Sequence, residues 1–119
     1  MGTGRLTTHA LDTAHGTPAA SLRIDLNRID DGATRRLASA TTNADGRTDG
    51  PVLEGADLIC GEYELVFHVG DYLAARSGDG AAARFLGRVP VRFNIADADA
   101  HYHVPLVFSP FSYATYRGS

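Results

Sequence analysis

The chain has 119 residues, 44% hydrophobic and 21% charged, with 11 basic against 14 acidic side chains and a formal net charge of −3. That size suits one domain, residues 1–119, around a single core, and the acidic balance excludes the basic surface that nucleic acid requires. No apolar run is long enough to cross a bilayer as a helix, residues 1–8 carry no charged-then-apolar leader, and the single cysteine, Cys60, allows neither an intramolecular disulfide nor a Cys-based metal site within one chain; the expected setting is soluble and cytoplasmic.

Residues 7–12 form a short β-prone run in which His9 shares parity with Leu11, closed by a loop at 13–18 that contains Gly16 and Pro18. Ala20, Leu22, Ile24 and Leu26 then alternate with Ser21, Arg23, Asp25 and Asn27, the pattern of a half-buried strand. Asp30-Asp31-Gly32 supplies a turn into a weaker strand at 33–42. The loop 43–51 follows, with Arg47 standing inside it. Cys60 lies in an apolar run, which predicts an inert small core residue. In the strand expected at 62–69, Tyr63, Leu65, Phe67 and Val69 share one face, and Glu62, Glu64 and His68 the other. Residues 71–77 are the one helical stretch, with Asp71 as candidate N-cap and Gly78 as candidate stop, leading into a surface loop at 77–83. Val89, Val91, Phe93 and Ile95 share a face of the next strand, and an acidic turn at 96–100 hands over to residues 101–108. After a Ser109-Pro110 turn, a short strand is expected at 112–116. Seven or eight short strands, one short helix and no βαβ rhythm indicate an all-β, antiparallel sandwich.

In residues 101–108 both faces are committed. Tyr102, Val104, Leu106 and Phe108 form a core face, whereas His101, His103, Pro105 and Val107 place two imidazoles and two apolar groups where a solvated antiparallel face would be polar. Something must cover that face, and a second subunit beside a histidine-lined pocket is the expectation. Tyr116, Arg117 and Ser119 close the sequence at a position that frays unless tied down.

Taken singly, these residues have ordinary explanations: a lone strand histidine is more often structural, and His15 and His68 are read that way. His101-x-His103, with His9 as a third ligand, raises a metal reading, but no carboxylate lies at a supporting spacing. Neither a Gly-x-Ser-x-Gly elbow nor a Gly-rich phosphate loop is present.

The stretch Tyr-His-Val-Pro-Leu-Val-Phe-Ser-Pro-Phe-Ser-Tyr at 102–113 resembles the C-terminal signature of the transthyretin (prealbumin-like) family, and Tyr-Arg-Gly-Ser at 116–119 resembles the tetrapeptide of its 5-hydroxyisourate-hydrolysing branch. The likeness extends to residues 6–12, the arginine loop 43–51 and the approach 85–90. Phe108 and Ala114 depart from the usual leucine and serine or threonine, outside the site positions. The resemblance implies a transthyretin-like sandwich assembled as a homotetramer, with sites in a channel at the dimer–dimer interface. It implies His9, Arg47 and His103 as catalytic residues, with His9, Arg47, Tyr116, Ser119 and, at one remove, His101 facing the substrate. No metal or organic cofactor is implied. The reaction would be hydrolysis of a ring amide in 5-hydroxyisourate, giving a ureidoimidazoline carboxylate. His103 is the first choice for the base that activates water and His9 for the proton donor, and the reverse assignment stays open. Arg47 would stabilise the oxyanion. The rival readings are a non-catalytic small-ligand carrier, against which His9 and the tetrapeptide count, and a metal hydrolase on His9, His101 and His103.

Overall fold

The computed structural model describes residues 2–77 and 85–119. Among them lie nine strands, β1 (Arg5–Asp12), β2 (Thr17–Pro18), β3 (Arg23–Asp30), β4 (Ala33–Thr41), β5 (Leu53–Glu54), β6 (Gly61–Phe67), β7 (Val89–Ile95), β8 (His101–Phe108) and β9 (Tyr113–Thr115), with one α-helix, α1 (Val69–Ser77). Two of the nine are two-residue pairings, so the seven longer strands match the expected sandwich. They form two sheets, β2-β1-β8-β9 with β5 on the flank of β1, and β4-β3-β6-β7.

Alternation sets which faces meet. Leu6 and Ala10 on β1 and Tyr102, Val104, Leu106 and Phe108 on β8 are buried against Ile24, Leu26, Tyr63, Leu65, Phe67, Val91 and Ile95 of the other sheet. A one-residue slip in either sheet would exchange these faces and expose the apolar set, which is why the register is unique. The odd-numbered residues of β1 and β8 therefore lie on the outside of the sandwich.

One pairing departs from the antiparallel rule: β1 runs parallel to β8, in the register Arg5↔His101, Thr7↔His103 and His9↔Pro105. No hairpin joins these strands, so turn geometry does not dictate their direction.

Four local expectations are corrected. The strand expected at 20–27 is displaced to β3 because Ser21 adopts φ 61°, a turn conformation that keeps residues 20–22 out of the ladder. The helix begins at Val69 rather than Asp71. Val69 is fully buried, the carbonyl of His68 accepts the Tyr72 N–H at 3.3 Å, and Asp71 therefore sits inside the first turn. Val69 leaves β6 for the same reason. The expected stop at Gly78 and the loop through 83 lie outside the described residues. Cys60 is exposed, its thiol donating to the Ala96 carbonyl at 3.4 Å, because it precedes β6 at the sheet end rather than occupying a strand interior.

A buried hydrogen bond ties the helix start to the second sheet. His68 Nε2 lies 2.9 Å from Asp25 Oδ2, while Asp25 Oδ1 accepts from Ser39 Oγ at 2.6 Å and Arg23 Nε at 3.1 Å. Desolvation pushes the Asp25 carboxyl upward, but the hydrogen bonds from Ser39, His68 and Arg23, with the charge of Arg23, outweigh it and hold the group down to about 2. A depressed carboxylate stabilises the fold above its unfolded value and loses that contribution as pH falls from the ordinary 3.8 toward about 2. Asp25→Asn is expected to cost about 2–3 kcal/mol at pH 7 and progressively less as the pH falls through that window. Urea denaturation at both ends measures it, and a pH-independent loss would assign the effect to packing.

Candidate active site

The parallel register lines up Arg5, Thr7 and His9 of β1 beside His101, His103 and Pro105 of β8 on the outer face of the first sheet. His103 and His9 are half-buried there, and His101 is exposed. The Thr7 hydroxyl stands between the two imidazoles of β8, 2.8 Å from His101 Nε2 and 2.8 Å from His103 Nδ1. His103 Nε2 makes no hydrogen bond among the described residues, so it is the nitrogen left for a substrate or a water.

Arg47 reaches this face because its loop docks on β1. Ala10 N–H donates to the Gly46 carbonyl at 2.8 Å, and His9 and Arg47 form an antiparallel bridge. Asn43 shapes the loop from within: its side-chain oxygen accepts from Asp45 N–H at 2.9 Å and Arg47 N–H at 3.3 Å, an Asx-type turn. Gly46 has φ 75°, and a Cβ there would collide with the Ala10 carbonyl oxygen, so glycine is required on both counts.

The loop also fixes His9. Its Nε2 lies 2.8 Å from the Asp45 carbonyl oxygen, and a carbonyl can only accept, so Nε2 carries the hydrogen and Nδ1 is the nitrogen free to exchange a proton.

His103 is held below the ordinary histidine value of 6.5, first by partial burial and then by the charges of Arg47, His101 and His9. A base that remains unprotonated near neutral pH is suited to taking a proton from water. Arg47 thus has two effects on one site, keeping His103 free of its proton and presenting a planar cation.

Beside the cluster lies a cavity of about 390 Å³ lined by Arg5, Thr7, Arg47, Thr48 and His101. The guanidinium groups of Arg5 and Arg47 have no protein partner among the described residues. Two unpaired guanidinium groups around one hollow, in a chain of net charge −3, form an anion-attracting site.

The tetrapeptide is tied to the same strand. Gly118 N–H donates to the His103 carbonyl at 2.7 Å, and Arg117 donates to the His101 carbonyl at 3.3 Å with its guanidinium 4.3 Å from the centre of the Tyr102 ring. A Cβ on Gly118 would fall inside contact distance of His103 Cδ2, so glycine is what lets the segment close against the imidazole. Ser119 follows directly on this bridge. Tyr116 is placed elsewhere: it is exposed and lines a cavity of about 240 Å³ with Phe93, Tyr102 and Val104.

The structure thus brings His9, Arg47, His101 and His103 together and ties Gly118, the residue before Ser119, to His103, while Tyr116 lines a different cavity. Thr7, Arg5 and Gly118 are members that sequence reasoning missed. Thr7 and Arg5 share the parity of His9, and only the β1–β8 pairing reveals what they face. Among the described residues, no three His, Cys, Asp or Glu side chains come together to hold a metal ion, and the facing nitrogens of His101 and His103 are both engaged with Thr7.

A two-sheet sandwich bearing an imidazole–guanidinium cluster on its outer face defines a small β protein with a solvent-accessible polar site. The chain belongs to the HIUase/Transthyretin family, whose model matches residues 6–118. It is 56% identical over 116 residues to 5-hydroxyisourate hydrolase 2 of Rhizobium meliloti, covering 98% of this chain and 97% of that protein. It is 53% identical to the 5-hydroxyisourate hydrolase of Pseudomonas aeruginosa, covering 98% of this chain and 92% of that one. The solved structure of Klebsiella pneumoniae 5-hydroxyisourate hydrolase superimposes with a TM-score of 0.79 at 35% identity, covering 98% of this chain and 99% of the other.

Proposed function

We propose that this protein is a metal-independent hydrolase that opens a ring amide of 5-hydroxyisourate, consuming one water and giving the ureidoimidazoline carboxylate. The observation that carries the reading is the uncommitted Nε2 of His103, on an imidazole held below its ordinary pKa beside Arg47 and His9. His103 removes a proton from water. The resulting hydroxide adds to the carbonyl, and Arg47 stabilises the oxyanion with its planar cationic fork. His9, its Nε2 hydrogen committed to Asp45, takes a proton from solvent on Nδ1 and gives it to the leaving nitrogen. Ser119 completes the pocket wall by hydrogen bonding, His101 supports His103 from behind, and Tyr116 packs the segment that carries residues 117–119.

The working form is a homotetramer with sites at the dimer–dimer interface, in the cytoplasm. Supporting the assembly, the outer face keeps Val107 and Leu11 half-buried, and Phe111, Tyr113 and Tyr116 stand exposed around β9, apolar surface that a second subunit would cover.

Generating 5-hydroxyisourate in place from urate and following its ultraviolet decay tests the reading. Acceleration over the spontaneous rate that persists in a chelator is the expected result. No acceleration by the folded protein would leave a non-catalytic carrier, and chelator sensitivity reversed by zinc would make it a metal hydrolase. Arg47→Lys keeps the charge and loses the fork, so kcat/KM is expected to fall by about 10–100-fold. An unchanged value would argue against bidentate recognition.

A further inference from the structure

Thr7 belongs to neither the catalytic trio nor the tetrapeptide, yet its hydroxyl is 2.8 Å from His101 Nε2 and 2.8 Å from His103 Nδ1. A hydroxyl has one hydrogen and can donate to only one of these nitrogens, so at least one of them must itself carry hydrogen. The two tautomers are thereby coupled. For Nε2 of His103 to be a bare acceptor in the neutral ring, its hydrogen must be on Nδ1, donated to Thr7, and the Thr7 hydrogen is then donated to His101 Nε2.

We propose that Thr7 is a proton relay between the two histidines, carrying the proton that His103 takes from water outward to His101. This rests on the hydrolase reading. In the step, His103 Nε2 accepts a proton from water and the hydroxide is consumed at the substrate carbonyl. The Nδ1 hydrogen of His103 passes to the Thr7 oxygen as the Thr7 hydrogen passes to His101 Nε2. His103 ends neutral with hydrogen on Nε2, and His101 ends as the imidazolium. One proton enters and one leaves at both His103 and Thr7, and the proton lost by water is the one gained by His101, so the balance closes.

The surroundings favour that direction. His103 is half-buried and faces Arg47 and His9, whereas His101 is exposed at the mouth and can release its proton to solvent. The charged and titratable groups around the pair are Arg5 and His9 on β1, Arg47 on its loop, and Arg117, which donates to the His101 carbonyl. Glu54 of β5 pairs with Arg5 on the far side of β1, and among the described residues no ion pair joins a carboxylate to either imidazole. The rings are 6.2 Å apart between centroids, too far for direct exchange, so the hydroxyl is the connecting atom.

Turnover of 5-hydroxyisourate tests this with Thr7→Val, Thr7→Ser, His101→Gln and the Thr7→Val/His101→Gln double variant. Wild-type activity comes first, because no turnover there overturns the hydrolase reading itself. With turnover in hand, Thr7→Val and His101→Gln are each expected to lower kcat about ten-fold with KM unchanged, and Thr7→Ser to stay within about three-fold of wild type. The double variant is expected to be no worse than either single one, since both cut the same path. The dependence of kcat on solvent deuterium fraction should be curved in wild type and Thr7→Ser and linear in the other three. Multiplicative losses in the double variant, or a curved dependence that survives Thr7→Val, would overturn the relay. Should Thr7→Val fail to fold, the surface change His101→Gln decides alone: wild-type kcat with a curved dependence overturns the proposal, and a ten-fold loss with a linear one supports it.

Discussion

Replacing His103 with alanine is expected to lower kcat by about 10²–10⁴-fold, the usual worth of a positioned general base, with little change in KM. The ring has one nitrogen on Thr7 and one free, and its neighbours keep it unprotonated. Only the neutral ring can accept a proton, so in the wild type kcat should rise as pH increases through the acid limb, with a midpoint below the ordinary 6.5. The sign follows from the environment, because burial and the charges of Arg47, His101 and His9 all oppose protonation. Near-normal kcat in His103→Ala would remove this residue from the base role and move it to His9. An acid limb centred above 6.5 would show that the working base lies in a different environment.

Deleting residues 116–119 is expected to abolish measurable turnover while leaving a folded β-sandwich. The segment adds little core, since Tyr116, Arg117 and Ser119 are all exposed. It does hold the reactive strand: Gly118 donates to the His103 carbonyl and its Cα lies against the imidazole edge. Far-ultraviolet circular dichroism and the turnover assay, run on the same preparation, separate the two effects. Gly118→Ala is the finer version, because the added methyl meets His103 Cδ2 and must displace the ring or the segment. Full activity in the truncated protein would show that the segment takes no part in the pocket.

The faces of β7 and β8 were legible, because unbroken alternation of Val89, Val91, Phe93 and Ile95, or of Tyr102 through Phe108, leaves one way to bury the apolar set, with Phe93 half-buried against the core. Periodicity ran out where a few φ angles decide. Ser21 could not be seen to adopt φ 61°, nor Val69 to start a helix that its apolar, β-branched side chain would have continued as strand. Cys60 misled for a related reason: an apolar neighbourhood in sequence does not say whether a residue lies within a strand or at its end.

For the site, residue types and parity singled out His9, His101 and His103, and the loop singled out Arg47. Their convergence depended on which strand lies beside β1, information that no local pattern holds. Thr7 was invisible for that reason. A threonine on a half-buried strand is ordinary, and it gains significance only from the two imidazoles opposite. His68 was classed as structural from its place on the polar face of the strand expected at 62–69; it lies just past the end of β6, and its bond to Asp25 agrees with a structural role.

The parallel pairing of β1 with β8 has a consequence for how the protein is made. Residues of the site that touch across it, such as Thr7 and His103, are 96 positions apart in the chain. In the β4-β3-β6-β7 sheet the β3–β4 hairpin is local and the other pairings close by residue 95, but β1 must wait, without its neighbour on that side, until β8 has been synthesised. Closure of so long a loop places folding in the slow, millisecond-to-second regime of non-local β topologies. The waiting strand edge is meanwhile open to pairing with another nascent chain. Catalytic competence is therefore the last property this polypeptide acquires, and the step most exposed to aggregation is the one that creates it.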